Sequence, residues 1–246
     1  MASAKQHYDD LLGEHYAWSV AGAGDPFERA AAWLARHDLA DFARYLDLGA
    51  GFGAHAVPLA RAGKAVTAVD FHAGLLAELH AAAPSVETVE ADLIAFIEAA
   101  AAAAVPPRWD AVLCLGDTLT HLADRAAVQR LLAAAARILA PGGVLAVSYR
   151  DYSGPPRTGL DRFIPVRHDA HRALICCIDP VDADRVAVTD LVTTATPAGL
   201  RTQLGSYLKL RLAPANVAAW ATTAGLRLDR HATDAGMLLQ LFRAPS

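Results

Sequence analysis

The 246 residues are 54% hydrophobic and 20% charged, the composition of a globular chain long enough to bury a substantial core. A formal net charge of −4 gives no electrostatic basis for binding nucleic acid, and charge, Pro or Gly interrupts each apolar run before the ~20 residues of a membrane helix. Cys114, Cys176 and Cys177 show neither metal-type spacing nor a disulfide framework, and the mildly acidic N-terminus lacks a signal-peptide core; a soluble, cytoplasmic protein without a metal is expected.

In chain order, Tyr8, Leu11, Leu12, His15 and Tyr16 recur at three- to four-residue spacing, which predicts an amphipathic helix. A second helix is predicted in GDPFERAAAWLARH, with Asp25 as cap, Pro26 first and Glu28 three residues beyond the cap. Strands then alternate with helices. RYLDLGAG (44–51) is a strand ending in glycines, followed by a helix that Gly63 closes. AVTAVDF (65–71) is a second strand, followed by a helix over 73–83 that Pro84 stops. VETVEAD (86–92) is a third, with a helix over 92–104 that runs into an alanine tract. DAVLCLGD (110–117) is a fourth, followed by a helix over 124–139, and PGGVLAVSYRDY (141–152) supplies a turn and a fifth strand. Beyond Arg150 the pattern alternates with a period of two and predicts an antiparallel meander over roughly 164–212. A helix at 214–224 and strands near 226–232 and 237–243 complete the chain.

Apolar strands alternating with helices imply a parallel sheet covered on both faces. The expected fold is α/β, a doubly wound Rossmann-like sheet of seven strands with an antiparallel β lid inserted after strand five. One domain is expected, with N-terminal helices (1–40), a cofactor-binding core (41–150), the lid (151–213) and a final helix and strand pair (214–246). No Gly/Ser-rich linker or internal repeat divides it.

LDLGAGFGAH places Asp47, Gly49, Gly51 and Gly53 between a strand and a helix, where the backbone must turn sharply and let a ligand approach. Asp70, at the tip of the second strand, can accept hydrogen bonds from both hydroxyls of a ribose, or cap the following helix. Gly49-Ala50-Gly51-Phe52-Gly53-Ala54 nominally meets the Gly-x-Gly-x-x-Gly/Ala pattern of dinucleotide sites. Asp47 to Gly53 meets Asp/Glu-x-Gly-x-Gly-x-Gly without substitution. Three further segments separate the two. VEADL places Asp92 at the end of strand three, where it could meet an adenine amino group or simply cap a helix. WDAVLCLGD is an aspartate-led apolar strand, and ILAPGGVLAVS carries a Leu-x-Pro-Gly-Gly-type turn.

These features, in this order, resemble the class I S-adenosylmethionine-dependent methyltransferases over roughly residues 40–243. The resemblance implies S-adenosyl-L-methionine as cofactor and S-adenosyl-L-homocysteine as product. It assigns Asp47, Gly49, Ala50, Gly51, Gly53, Asp70, Phe71, Asp92, Leu93 and Leu115 to the cofactor, with Tyr8 of the leading helix closing over it. CLGDTLTHL and SYRDY further resemble the glycine N-methyltransferase group, where an asparagine stands at the position of Asp117 and a serine at that of Thr118. That resemblance implies Arg150 as a carboxylate clamp, Tyr152 as a pocket wall and His121 as a residue on the cofactor side.

A carboxylate at 117 can bind an ammonium and accept its proton, which asparagine cannot. Asp117, His121 and Arg150 are the candidate catalytic residues, and Asp117, Arg150, Tyr152 and Tyr207 the candidate acceptor-binding ones. Three of these positions have alternatives: Asp117 as a turn cap or a group binding the cofactor's amino-acid end, Arg150 as a surface strand-end arginine or a salt-bridge partner of the lid, and Tyr207, with Lys209 and Arg211, as part of a solvated strand face. The expected reaction is N-methylation of a small amine or amino acid. An O- or S-methyltransferase is the nearest alternative, and a non-catalytic S-adenosylmethionine-binding protein one of another class. The expected partner is a small-molecule methyl acceptor, not nucleic acid or membrane, and the expected state a monomer or small homo-oligomer.

Overall fold

A computed structural model describes residues 2–22, 24–234 and 236–246. Helix α1 (Ala4–His7) passes through a π-helical turn, Tyr8–Leu12, into α2 (Gly13–Ala21), so the predicted N-terminal helix contains one wider turn. Helix α3 (Pro26–Arg36) begins as expected: Pro26 is first and the Asp25 carboxylate accepts from the Phe27 amide at 2.8 Å. There follow β1 (Arg44–Leu48), α4 (Ala56–Arg61), β2 (Ala65–Asp70), α5 (Ala73–Ala82), β3 (Glu87–Glu90), α6 (Leu93–Ala102), β4 (Trp109–Cys114), a 3-10 turn at Thr118–His121, α7 (Arg125–Ile138) and β5 (Leu139–Tyr149). A 3-10 turn at Gly159–Arg162 leads to β6 (Phe163–His168), β7 (Arg172–Pro180), β8 (Arg185–Thr196) and β9 (Gly199–Leu210). Then come α8 (Pro214–Thr223), β10 (Arg227–Asp234) and β11 (Met237–Arg243).

The predicted elements are all present, with shifted ends. Strand β1 stops at Leu48 because the glycines after it adopt left-handed backbone. Helix α6 ends at Ala102, two residues short of expectation, because Ala103 is extended as the chain approaches Pro106-Pro107. Strand β5 starts before the predicted turn. Leu139 pairs with Trp109, and after a register shift across Pro141-Gly142-Gly143, Val144 pairs with Ala111. The cap of α5 is His72, whose Nδ1 accepts from the Leu75 amide at 3.1 Å, and not Asp70.

The chain divides into two compact units. One comprises Asp25–Asp151 and Leu212–Ser246, built on a sheet of order β10-β11-β5-β4-β1-β2-β3. Strands β5, β4, β1, β2 and β3 run parallel, and β11 pairs antiparallel to both β5 and β10. The central strands are buried almost end to end, because side chains on both faces meet helices; Leu46, Leu48, Val112, Leu113, Leu145 and Val147 have no solvent exposure. Each such side chain contributes about 2 kcal/mol by leaving water. The order reverses between β1 and β4, which leaves a crevice beyond their carboxyl ends.

The second unit joins the N-terminal residues up to Gly24 with Tyr152–Arg211. Its antiparallel sheet has the order β6-β7-β8-β9. One face carries Leu174, Ile178, Val186, Val188, Val192 and Tyr207; α1 packs on it through Ala4, the π-helical turn through Leu11 and Leu12, and α2 through Tyr16 and Trp18. No described helix is long and apolar enough to cross a membrane.

Candidate active site

The loop after β1 is shaped by its glycines. Gly49, Gly51 and Gly53 all have positive φ, at +74°, +55° and +85°. A Cβ on Gly49 would lie 2.4 Å from Thr118 Cγ2 and one on Gly53 2.6 Å from Leu79 Cγ, so neither position admits a side chain. The amides of Gly49 and Ala50 donate to the Val69 carbonyl at 2.8 and 3.1 Å, which ties the loop to β2. Gly51 N–H donates to Asp70 Oδ2 at 2.8 Å, and His72 N–H donates to Asp70 Oδ1 at 2.9 Å. Burial still pushes the Asp70 carboxyl above the usual carboxylate range, against the pull of these donors.

Asp47 is the unusual member. It is 2% exposed, and its Oδ2 has no hydrogen-bond partner. Burial first, and the nearby Asp70 charge second, push its carboxyl up to about 7. A buried carboxylate without a donor is costly unless a cation or a donor-bearing ligand meets it. Asp47, the left-handed glycine loop and Asp70 therefore fit an aminoacyl nucleoside with a positive charge, which is the chemistry of S-adenosylmethionine. Around them, Ala50, Leu93 and Leu115 are buried and Phe71 half-buried. Asp92 is exposed and caps α6, with Oδ1 accepting from the Ala95 amide at 2.9 Å.

Across the reversal in strand order, β4 ends in a tight knot. Gly116 and Asp117 both have positive φ, +72° and +78°, and Asp117 is an uncommon non-glycine residue in that region. Ser148 on β5 holds both: its hydroxyl accepts from Gly116 N–H at 2.9 Å and its carbonyl from Asp117 N–H at 3.0 Å. The Asp117 side chain, 1% exposed, accepts from Arg150 N–H at 2.9 Å and from the Thr120 hydroxyl at 3.0 Å through Oδ1. Oδ2 meets Arg150 Nη1 at 3.3 Å, while the Arg150 side chain stays 54% exposed. His121 ends the 3-10 turn and is half-buried.

The unit built on the parallel sheet thus brings Asp117, His121 and Arg150 to the crevice end of β4 and β5, and Thr118 against Gly49. Tyr8, Tyr152 and Tyr207 belong to the antiparallel unit. There Tyr207 is buried and stacks on His7 with centroids 4.3 Å apart, Tyr152 packs on the cluster of Ile178, Val186, Val188 and Tyr207, and Tyr8 tilts against Tyr16. Tyr207 and Lys209 face inward, so they do not form the solvated strand face that their alternation also allowed.

Three residues escaped sequence reasoning. Ser148 and Thr120 read as ordinary strand and loop hydroxyls. Asp190 sits inside an otherwise apolar inward alternation, Val186-Val188-Asp190-Val192, and is buried against His7 Nε2 at 2.8 Å. That interruption was the signal available.

Comparison with known proteins agrees with this geometry. Residues 46–143 match a family profile described as a methyltransferase domain. No curated protein sequence matches the chain. Among solved structures, the chain is similar to S-adenosylmethionine-bound CalS10, an amino pentose methyltransferase from Micromonospora echinaspora. The TM-score is 0.75 at 22% identity, covering 94% of this chain and 95% of that one. It is similar to the CcbJ methyltransferase from Streptomyces caelestis, with TM-score 0.75, 23% identity and coverage of 97% and 98%. It is also similar to the sugar N-methyltransferase KedS8 from Streptoalloteichus sp ATCC 53650, with TM-score 0.69, 19% identity and coverage of 97% and 93%.

Proposed function

We propose that this chain, whose residues 46–143 match a methyltransferase-domain profile, is an S-adenosylmethionine-dependent enzyme that N-methylates a small-molecule amine, an amino acid or amino sugar. The supporting observation is the contact of Gly49 with Thr118, which sets the Asp117–Arg150 pair beside the loop assigned to the methyl donor. The amino pentose and sugar N-methyltransferases that share the fold support nitrogen as the atom methylated. The glycine N-methyltransferase resemblance of CLGDTLTHL and SYRDY supports an acceptor bearing an anionic group.

The donor supplies an electrophilic methyl on a sulfonium. The protein's task is to hold a neutral amine in line with it at about 3 Å. In this reading Asp47 and Asp70 hold the donor, with Asp92 at its adenine end. Arg150 offers its exposed guanidinium edge to a carboxylate or another oxygen of the acceptor, which such a fork binds well. Asp117, with its oxygens committed to Arg150 and Thr120, positions that arginine and lends negative potential to the incoming cation. His121 takes a proton from the incoming ammonium, which leaves the neutral amine whose lone pair can attack, since an imidazole can accept a proton near neutrality. The nitrogen lone pair then forms the N–C bond as the S–C bond breaks, leaving a neutral thioether.

Labelled S-adenosylmethionine with matched panels of amines, amino acids, amino sugars, phenols and thiols tests the reading. Label appearing in an amine, with equimolar S-adenosylhomocysteine, supports it. Label confined to oxygen or sulfur acceptors contradicts it.

A further inference from the structure

Thr118 opens the 3-10 turn that follows Asp117, and its side chain is fixed on two sides. The hydroxyl donates to the Leu115 carbonyl at 2.8 Å, inside its own loop. A β-branched side chain has few rotamers, so this one bond also sets where the methyl goes. The methyl meets Gly49. A Cβ on that glycine would lie 2.4 Å from Thr118 Cγ2, 2.6 Å from its Oγ1 and 3.1 Å from its Cβ. The side chain of residue 118 therefore fills the volume that a side chain of residue 49 would need.

Neither partner in this contact can retreat easily. The Gly49 amide is tied to the Val69 carbonyl on β2 at 2.8 Å, and the Asp117 amide to the Ser148 carbonyl on β5 at 3.0 Å. Leu115 and Leu119, which flank Thr118 along the chain, are 4% and 0% exposed. Close-packed interiors transmit small displacements and do not absorb them. A serine, which the resemblance places here in glycine N-methyltransferases, would keep the hydroxyl bond and lose the methyl.

We propose that Thr118 is a positioning residue for methyl transfer, its Cγ2 holding the donor loop at a fixed separation from the Asp117–Arg150 acceptor clamp. The proposal rests on assigning this loop to the donor and Arg150 to the acceptor. In-line transfer needs the reacting atoms about 3–3.5 Å apart, and a misplacement of about 1 Å can cost roughly a hundredfold in rate. The groups assigned to each ligand, Asp47 and Asp70 for the donor and Arg150 for the acceptor, stay when the methyl is removed. Loss of Cγ2 is therefore read in the rate of transfer and not in affinity.

Two measurements test this. With labelled S-adenosylmethionine and an amine that accepts label, Thr118→Ser is expected to lower the single-turnover rate by about tenfold. KM and S-adenosylhomocysteine affinity are expected to stay within about twofold of the wild type. A wild-type rate in Thr118→Ser overturns the proposal, and so does a loss confined to KM or to affinity. The contact itself is read by suppression, in calorimetry with S-adenosylhomocysteine. The double variant Gly49→Ala, Thr118→Ala is expected to bind about fivefold more tightly than Gly49→Ala alone, because the two nearest obstructing atoms are gone. Left-handed strain at residue 49 keeps the recovery partial. Should Gly49→Ala fail to fold, restored folding in the double variant is the same result. A double variant no better than the single one overturns the proposal. A wild type that binds no S-adenosylhomocysteine removes the donor reading and the proposal with it. A wild type that binds it but labels no amine removes only N-methylation, and suppression then decides.

Discussion

Asp117 and Arg150, 33 residues apart in sequence, form one structural unit: a buried carboxylate accepts the arginine's own amide at 2.9 Å and its guanidinium at 3.3 Å. The carboxylate sits in left-handed backbone, held there by Ser148 and Thr120. A strained residue fixed by several partners at the end of a central strand is a positioning device. In the proposed reading the exposed edge of Arg150 meets the acceptor.

Replacing Asp117 separates its two contributions. Asp117→Ala strands the Arg150 amide, although the Thr120 hydroxyl keeps the backbone carbonyl of residue 117 at 2.8 Å, and forces a residue without a compensating side-chain bond to stay left-handed. It is expected to lower the unfolding free energy by roughly 2–4 kcal/mol in urea titrations. Asp117→Asn tolerates the same backbone and keeps one acceptor, so the expected loss is about 1 kcal/mol. Both are expected to raise KM for a carboxylated acceptor while leaving donor affinity nearly unchanged.

Asp47 is expected to make donor binding depend on pH. Its folded carboxyl lies at about 7 against an ordinary 3.8, so the folded chain holds a proton that the unfolded chain has released. The stability this contributes is complete below about 4 and disappears as pH rises through about 7. A cationic donor favours the ionised form. Its affinity is therefore expected to fall, by up to about tenfold per pH unit for one linked proton, as pH drops below 7. The raised Asp70 carboxyl adds in the same direction. Calorimetry with S-adenosylmethionine over a pH series measures the slope, and Asp47→Asn is expected to flatten it.

In the antiparallel unit, His7 and Asp190 are both buried and face each other at 2.8 Å. Removing the imidazole leaves a buried carboxylate without this partner, so His7→Ala is expected to cost about 3 kcal/mol. Gly205→Ala is expected to disturb the same pair, since its Cβ would lie 2.6 Å from His7 Nδ1. Limited proteolysis of α1 and α2, which pack on this sheet, is expected to accelerate in both variants relative to the wild type.

The parts of the fold that were legible in the sequence are those whose causes are local. The strands β1, β2 and β4 read as apolar runs because both faces are covered. The Asp47–Gly53 loop read as a sharp turn because its alternate glycines suit the left-handed backbone they adopt. Asp25 was legible as a cap from three consecutive residues. What was not legible depends on partners far along the chain. Nothing near Asp117 announces that Arg150 and Ser148 will occupy it, and nothing near His7 announces Asp190, 183 residues away. Asp92 could be read two ways because capping and ligand binding ask for the same carboxylate at the same place, and its cap is now seen. Tyr207 and Lys209 were ambiguous because a period of two gives two faces without saying which is covered.

The donor loop bears the central claim, and Gly49 is its most sensitive point. A methyl group there would meet Thr118 at 2.4 Å and force a side chain into left-handed backbone. Calorimetric titration of S-adenosylhomocysteine into the wild type and into Gly49→Ala, with melting curves to confirm folding, measures it directly. We expect one site in the wild type and at least a tenfold weaker one, about 1.4 kcal/mol, in the variant. A folded wild type that binds no S-adenosylhomocysteine, or a Gly49→Ala protein that binds it equally well, would contradict the account.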